Sequence, residues 1–164
     1  MYTWKYITSD GLSDIILNSD GKYLTGLIFE GSKDEKKCNT HKIKKYLPIF
    51  EKTCRWLDIY FSGVNPDFTP EYKILNITPF REKVLEIVKT IPYGKTITYG
   101  SIARKLEKDL EIKKMSAQAV GGAVGSNPIC LIIPCHRVVG SNGKIVGYGG
   151  GIENKKILLD LENK

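Results

Sequence analysis

The pattern of apolar and polar positions divides the first part of the chain into strands and a helix. Two apolar runs separated by "SDG" lie within residues 14–31 and predict a β-hairpin, and the polar residues after them predict a loop. A helix is predicted next, because apolar residues recur there at spacings of three and four. Its predicted buried face comprises Leu47, Phe50, Cys54, Leu57 and Phe61. Cys54 is therefore expected in the core, and Pro48 suits the first turn.

From about residue 75 onward the pattern is mostly helical. Thr78 and Pro79 are typical of an N-cap and a first helical position. The stripe predicted to be buried in that helix comprises Phe80, Val84, Ile87, Val88 and Ile91. Further helices are predicted in "TYGSIARKL", with Thr98 as cap, in "MSAQAVGGAVGSNP" and in "IENKKILLDLE". The chain is thus predicted to be α/β (α+β), with a proline-containing linker, "GVNPDFTPEYK", between two lobes.

The two short helices in succession are similar to a helix-turn-helix, although the segment between them is longer than usual. The second one carries "AVGGAVG", and its small side chains would let the helix backbone approach a partner closely. Close packing against another helix inside the protein is the alternative explanation of the same residues.

Composition and charge narrow the class of protein. The 164 residues are 41% hydrophobic and 26% charged, which suits one compact unit with a real core. No stretch approaches the roughly 18 apolar residues that a membrane span requires, and the start of the chain shows no secretory signal. We therefore expect a cytoplasmic protein whose four cysteines are reduced. The formal charge of +7 suits a polyanion such as DNA or RNA, or simply solubility.

The most reactive pattern is "IPCHRVV", in which Cys135 and His136 are adjacent. A free thiol has a pKa of about 8.5, and a histidine within reach can take its proton. Adjacent side chains on a strand point to opposite faces, so the pair can cooperate only if Pro134 introduces a turn. A carboxylate would orient the histidine, and the acids available near the end of the chain are Glu153, Asp160 and Glu162.

Two other patterns are more ambiguous. A glycine loop around Tyr148 could bind the edge of a planar ligand, or could be a flexible surface hairpin. Cys38 and His41 could begin a zinc site, with Cys54 further on, but two ligands do not make a tetrahedral site, so no metal is predicted. Cys130 lies in an apolar run and is expected in the core.

Four segments together resemble the O6-alkylguanine-DNA alkyltransferases, the methylated-DNA–protein-cysteine methyltransferases. They are "YGKTITYGSIARKL", "AVGGAVGSNP", "IPCHRVVG" and "GYGGGIENKKILLDLE", and they occur in the family's order and spacing. The resemblance implies a small RNase H-like lobe over residues 1–74. It implies a mostly helical, winged helix-turn-helix-like lobe with the active site over residues 75–164.

The resemblance also implies a reaction and roles for five residues. Cys135 would attack the alkyl carbon on O6 of a guanine, and O4 of thymine is a further expected substrate. His136 would act as base through a water, and Glu162 would orient it. Asn127 would brace the turn that carries the cysteine, and Tyr99 would hydrogen-bond the guanine. Each molecule would react once, without a cofactor.

By the same resemblance the protein would act as a monomer on double-stranded DNA and would flip the damaged base out of the helix. The substrate pocket would involve Tyr148, Gly149, Gly150, Gly151 and Lys155. The residues implied to contact DNA are Ser116, Gln118, Ala119, Gly121, Gly122 and Arg137.

One position departs from the family pattern. Many members have an arginine where this chain has Gln118, and glutamine lacks the planar cation that would stack beside the gap left by the flipped base. We expect flipping still to occur, with weaker or more salt-tolerant binding. Two alternatives remain open: a sensor that binds alkylated DNA without transfer, and a cysteine hydrolase with a Cys-His-Glu site.

Overall fold

The first lobe is built on a four-stranded sheet. The computed structural model describes residues 1–9, 11–37 and 41–164. The strands are β1 (Tyr2–Tyr6), β2 (Ile15–Ser19), β3 (Leu24–Phe29) and β4 (Ile43–Lys44), in the order β3-β2-β1-β4. The predicted hairpin is confirmed as β2 and β3, and β4 adds parallel to β1. This sheet agrees with the RNase H-like lobe that the resemblance implies, although β1 and β4 have no counterpart in the sequence pattern.

Helix α1 (Pro48–Phe61) follows the sheet and starts at the predicted proline. Its buried face is rotated from the predicted one, because Trp56 and Tyr60 take the interior positions. The expectation that Cys54 lies inside the core is therefore only partly met. The thiol is only half-buried and packs against the edge of the core.

The second lobe is mostly helical, as predicted. Its helices are α2 (Pro79–Lys89), α3 (Tyr99–Asp109), α4 (Ala117–Val124) and α5 (Ile152–Glu162). The predicted caps are confirmed: the hydroxyl of Thr78 accepts from Arg81 N and that of Thr98 accepts from Ser101 N. Two short parallel strands, β5 (Ile97–Thr98) and β6 (Val138–Val139), join the start of α3 to the segment that carries the Cys-His pair.

The outer edge of β3 links the two lobes. The Leu27 N–H donates to Pro128 O, and the Cys130 N–H donates to Leu27 O, both at 2.9 Å. Further along the same edge, Leu24 exchanges backbone hydrogen bonds of 2.9 Å with Glu71 and Lys73. Apolar residues of both lobes also form one continuous core. The segment leading to Cys135 is thus held on the sheet of the first lobe. The division at residue 74 stays a prediction.

In the part of the chain that the structure describes, no helix combines the length and the apolar character needed to cross a bilayer.

Candidate active site

A tight turn presents Cys135 to a pocket. Pro134 has φ −81° and ψ 63°, and a 3-10 turn then runs over Cys135–Arg137. The Cys135 N–H donates to Ile133 O at 2.8 Å, and the Arg137 N–H donates to Pro134 O at 3.0 Å. The backbone therefore turns at the predicted proline, and adjacent residues need not point to opposite faces.

Asn127 is buried behind this turn and is bonded at both ends of its amide. Its Nδ2 donates to Ile133 O at 2.8 Å, and its Oδ1 accepts from Ile129 N at 3.0 Å. These contacts span residues 129–133, which lead directly into Cys135. The asparagine is thus placed where it can fix the position of the nucleophile.

Cys135 lines a pocket of about 580 Å³. The pocket walls come from both lobes and comprise Asp34, Tyr99, Ala117, Gln118, Gly121, Val124, Gly125, Asn127, Val146, Gly147, Tyr148 and Gly149. Tyr148 Oη lies 3.9 Å from Cys135 Sγ, within hydrogen-bonding distance for sulfur. The structure thus brings the predicted nucleophile together with both predicted pocket tyrosines.

His136 is completely buried beside Glu162. Its Nε2 is hydrogen-bonded to Glu162 Oε2, while its Nδ1 has no hydrogen-bond partner among the described residues. Burial lowers the pKa of His136, although the bond to Glu162 acts in the opposite direction. Because the carboxylate can only accept, Nε2 carries the proton in the neutral ring, and Nδ1 keeps its lone pair available as a base.

Glu162 accepts hydrogen bonds from four groups. Oε2 accepts from His136 Nε2 and from Tyr60 Oη, the latter at 2.6 Å. Oε1 accepts from Arg137 Nε at 2.7 Å and from Gly94 N at 3.1 Å. Burial would raise the pKa of Glu162, but the bonds to His136, Arg137 and Tyr60 lower it to about 2. The carboxylate is therefore ionised at neutral pH.

Hydrogen bonding favours the thiolate of Cys135. The Cys130 thiol lowers the pKa of Cys135 most, and burial opposes it; Asn127 and Tyr148 lower the pKa further. Burial raises the pKa of Tyr99 and of Tyr148, so both phenols stay protonated and can donate. A nucleophile of lowered pKa between neutral donors is an arrangement suited to alkyl transfer.

The glycines of the predicted loop occupy different environments in the structure. Gly149 lines the pocket, whereas Gly150 is buried, and a side chain there would meet the rings of Tyr148 and Phe29 at under 3 Å. Gly151 caps α5 with a left-handed φ of 101°. Glycine at 150 is thus what allows the Tyr148 ring to lie against the first lobe.

Lys155 lies behind the pocket wall. It is completely buried and donates from Nζ to Val138 O at 2.7 Å and to Gly147 O at 3.3 Å. Its ammonium lies 5.9 Å from the ring centre of Tyr99 and 5.8 Å from that of Tyr148. This placement favours support of the two rings over the direct substrate contact that the resemblance implies.

The residues expected to bind DNA lie mostly on α4. Ser116 caps the helix by accepting from Gln118 N and Ala119 N, and these three residues are exposed. Gly121 is half-buried against Tyr99, and Gly122 faces open space.

Arg137, by contrast, is not on that surface. Its guanidinium is buried, and besides the bond to Glu162 it donates to Ile91 O at 2.8 Å. Arg137, expected to contact DNA, instead lies inside the site, because the buried carboxylate of Glu162 needs a cationic partner.

The sequence analysis missed several residues of the site, among them Tyr60, Asp34 and Cys130. Tyr60 reaches Glu162 from α1, Asp34 lines the pocket from the first lobe, and the Cys130 thiol lowers the pKa of Cys135. Only Tyr60 had a usable signal, since it lies on the interior side of an amphipathic helix. Asp34 comes to the pocket from a distant part of the chain, and no local pattern marks Cys130 as part of the site.

The described residues contain no cluster of three or more His, Cys, Asp or Glu side chains that could hold a metal ion. Cys38, considered above as a zinc ligand with His41, lies outside the described residues.

Comparison with known proteins identifies the family. A family model described as the DNA binding domain of 6-O-methylguanine DNA methyltransferase matches residues 79–164. Methylated-DNA–protein-cysteine methyltransferase of Haemophilus influenzae is 36% identical over 148 residues, which are 90% of this chain and 79% of the relative. The chain belongs to the methylated-DNA–protein-cysteine methyltransferase family. The methylated-DNA–protein-cysteine methyltransferase of Methanosarcina mazei is also 36% identical, and the match covers 96% of this chain and 95% of that relative.

Solved structures of this methyltransferase family have the same fold. Mycobacterium tuberculosis OGT in complex with DNA is similar with a TM-score of 0.80 and 34% identity, over 97% of this chain and 92% of that one. The O6-methylguanine-DNA methyltransferase of Pyrococcus kodakaraensis is similar with a TM-score of 0.68 and 27% identity, over 99% of both chains. The α+β fold that the sequence predicts is confirmed.

Proposed function

We propose that this protein repairs DNA by moving an alkyl group from O6 of guanine to its own Cys135, once per molecule. The observation that carries the proposal is the position of Cys135. The thiol lines a pocket next to α4, the helix expected to bind DNA, and a buried histidine–carboxylate pair follows it in the chain. O4-alkylthymine, which offers the same kind of alkyl carbon, is a second substrate under this proposal.

The step is a direct displacement. The sulfur of Cys135 forms a bond to the alkyl carbon while the bond from that carbon to guanine O6 breaks, and the electron pair moves to the base. The thiol proton passes to Nδ1 of His136 through a bridging water, and one proton returns to the guanine. Glu162 stabilises the imidazolium that forms in between, in the manner of other acid–base relays.

The remaining residues orient the reactants. Asn127 holds the turn that carries the sulfur, and the phenol of Tyr99 donates to the flipped base as its oxygen departs. Tyr148 and Gly149 form the pocket wall against which the base lies. No step requires a metal or cofactor, because the thiolate is the alkyl acceptor.

Helix α4 approaches the DNA in this proposal. Its exposed face carries small residues, so the backbone can lie close to a groove, and Gln118 stands at the rim of the pocket where the base enters. The excess of 25 basic over 18 acidic residues favours the phosphate backbone as partner. We further propose that the protein acts as a monomer in the cytoplasm, where thiols stay reduced.

The decisive experiment uses a duplex that carries one O6-methylguanine. After incubation, peptide mapping by mass spectrometry should find one methyl group on Cys135 and at most one per protein molecule. The Cys135→Ser variant should acquire none, and the Cys54→Ser variant should react like the native chain.

A different result would point to the sensor alternative. If the native protein binds the lesion selectively but acquires no methyl group, the transfer and the roles of His136 and Glu162 are withdrawn. If it neither reacts nor binds, the DNA partner itself is wrong.

A further inference from the structure

The wall of the pocket contains a carboxylate that has no part in the mechanism above. Asp34 lines the pocket together with Cys135 and is buried, with 7% of its surface exposed. Among the described residues that form this lining, no other carboxylate and no lysine or arginine is found. The first lobe thus contributes an acidic group to a pocket whose other walls are apolar or carry neutral polar groups.

The turn that follows β3 brings Asp34 to this position. The Ser32 N–H donates to Phe29 O at 3.2 Å, and the Glu35 N–H donates to Ser32 Oγ at 3.4 Å. Phe29 is the last residue of β3, and its ring centre lies 6.4 Å from that of Tyr148. The turn therefore leads from the end of the strand directly to the glycine loop.

The carboxylate lies directly against Gly149. A Cβ at that position would be 2.5 Å from Asp34 Oδ1 and 2.7 Å from Oδ2, which is closer than a side chain tolerates. The preceding residue, Tyr148, has its hydroxyl 3.9 Å from Cys135 Sγ. The acidic group and the nucleophile therefore adjoin neighbouring residues of the same pocket wall.

The charge of Asp34 acts on the nucleophile. The Cys130 thiol lowers the pKa of Cys135 most, whereas burial and the negative charge of Asp34 raise it. The cation of Lys155 lies behind the pocket wall and is bonded to two backbone carbonyls. An anionic group that enters the pocket would therefore meet a like charge in the lining, while the cation stays outside it.

We propose that Asp34 determines which alkyl groups the pocket accepts, because its carboxylate repels adducts that carry a negative charge. This inference rests on the proposed function and adds a specificity-determining residue to it. In the displacement the alkyl carbon lies between the sulfur and guanine O6, so a substituent on that carbon projects toward the wall. Methyl and carbamoylmethyl groups are accepted, and the carboxymethyl group, similar in size to carbamoylmethyl but charged, is disfavoured.

Two other roles for Asp34 compete with this one. The side chain could serve only to shape the wall, or it could accept a hydrogen bond from the bound base. Asp34→Asn has almost the same volume and keeps an acceptor oxygen. Either competing role would therefore affect neutral and anionic groups alike, and a difference between the two groups isolates the charge.

The first test uses two thiol reagents on the full chain without DNA. Iodoacetamide delivers a carbamoylmethyl group and iodoacetate a carboxymethyl group; in both reactions the sulfur bonds to the CH₂ carbon and iodide leaves. Peptide mapping gives both rates at Cys135, at neutral pH and fixed ionic strength. The ratio of the iodoacetamide rate to the iodoacetate rate should fall about tenfold in Asp34→Asn, because a nearby like charge is removed from a partly buried site. A change in the thiolate population cancels in this ratio, since both reagents attack the same sulfur.

The matched control is Asp20→Asn, which makes the same change in the exposed turn between β2 and β3 and should leave the ratio as in the native chain. The second test measures single-turnover transfer from duplexes that carry O6-carbamoylmethylguanine or O6-carboxymethylguanine. The ratio of these two rates should also fall about tenfold in Asp34→Asn.

An unchanged reagent ratio in Asp34→Asn would overturn the proposal, as would an equal fall in Asp20→Asn. A native duplex ratio in a variant that still repairs O6-methylguanine would overturn it too. Should Asp34→Asn fail to fold, as judged by its melting temperature, Asp34→Ser replaces it with the same expected ratio and the same overturning results. If no duplex yields any transfer, the proposed DNA repair is wrong, and the reagent ratio alone decides whether Asp34 selects by charge.

Discussion

At the scale of single residues, Glu162 shows how a carboxylate stays charged inside this protein. Four donors from three parts of the chain satisfy its two oxygens, so its charge costs less than burial alone would impose. One of these donors, Tyr60, comes from the first lobe. The orientation of His136 therefore depends on a helix that lies outside the family's DNA-binding domain model.

Removing the hydroxyl of Tyr60 should weaken this arrangement. In Tyr60→Phe the ring still stacks on Trp56, with ring centres 5.3 Å apart, so the protein should fold. Loss of a hydrogen bond to a charged group should reduce the single-turnover rate about tenfold and the free energy of unfolding by about 1–2 kcal/mol. The matched control is Tyr93→Phe, because the buried Tyr93 hydroxyl has no hydrogen-bond partner among the described residues. Equal rates for the two variants would contradict the role of Tyr60.

Single residues also mark the limit of what the sequence could predict. Asn127, Cys135 and His136 lie within about ten positions of one another, and Pro134 signals the turn that carries the Cys-His pair. Arg137 was misplaced because a basic residue near a DNA-binding motif was expected on the surface. Its true partner, Glu162, lies 25 residues away, and no local pattern connects them.

At the scale of elements, α4 combines a hydrogen-bonded N-cap with an exposed face of small side chains. Ser116 accepts two backbone hydrogen bonds at its start, and its buried side carries Val120, Ala123 and Val124. Caps and helical periodicity are local properties, which is why α2, α3, α4 and α5 could be predicted. Strands β1 and β4 could not, since β4 has only two residues and exists through its pairing with β1.

We expect the glycine at position 122 to favour DNA binding at the expense of the stability of α4. A Cβ at this position would meet nothing within 4 Å, and alanine is favoured over glycine in helices by roughly 1 kcal/mol. Gly122→Ala should therefore raise the melting temperature while weakening the binding of an alkylated duplex, and Gly122→Leu should weaken it further. Thermal unfolding and fluorescence anisotropy measure the two effects. Unchanged affinity across the series would show that this face does not approach DNA.

A second prediction for the same helix concerns Gln118. Gln118→Arg adds a cation at the rim of the pocket, so binding should tighten at low salt. The slope of log affinity against log salt should steepen by about one. Gln118→Leu, which removes hydrogen bonding without adding charge, should leave the slope unchanged. If the arginine variant binds no more tightly than the native protein, the explanation offered for this departure from the family is wrong.

At the scale of the whole molecule, the site depends on contacts between the lobes. The sheet of the first lobe carries the segment before Cys135, and the pocket takes Asp34 from one lobe and Tyr99 from the other. The sequence predicted most elements, and the resemblance named several of the residues that line the pocket. It could not predict this joining, because backbone pairing between β3 and residues 128–130 leaves no periodic pattern.

Stability should fall in acid because of the buried pair. The pKa of Glu162 is about 2 in the folded protein, against about 4.3 in an unfolded chain. Its contribution is therefore present above about pH 4.3 and is lost as the pH falls toward 2. The pKa of His136 is also lowered, so below about pH 6.5 the unfolded state takes up its proton first, which adds to the loss.

Urea unfolding of the native chain and Glu162→Gln between pH 7 and pH 3 tests this account. The variant should be less stable by about 3–5 kcal/mol at pH 7, because it leaves Arg137 buried without its anion. The difference should shrink as the pH falls. A difference that stays constant over this range would contradict the assignment.

The pairing of Leu27 with residues 128–130 has a consequence for how the protein acquires its activity. These partners are about a hundred positions apart in the chain, and contacts of such long range form late during folding. A newly made chain would therefore carry an ordinary cysteine until β3 captures the segment that precedes it. The reactivity of Cys135 then reports the completion of folding. The time at which this reactivity appears during refolding would show when the two lobes pair.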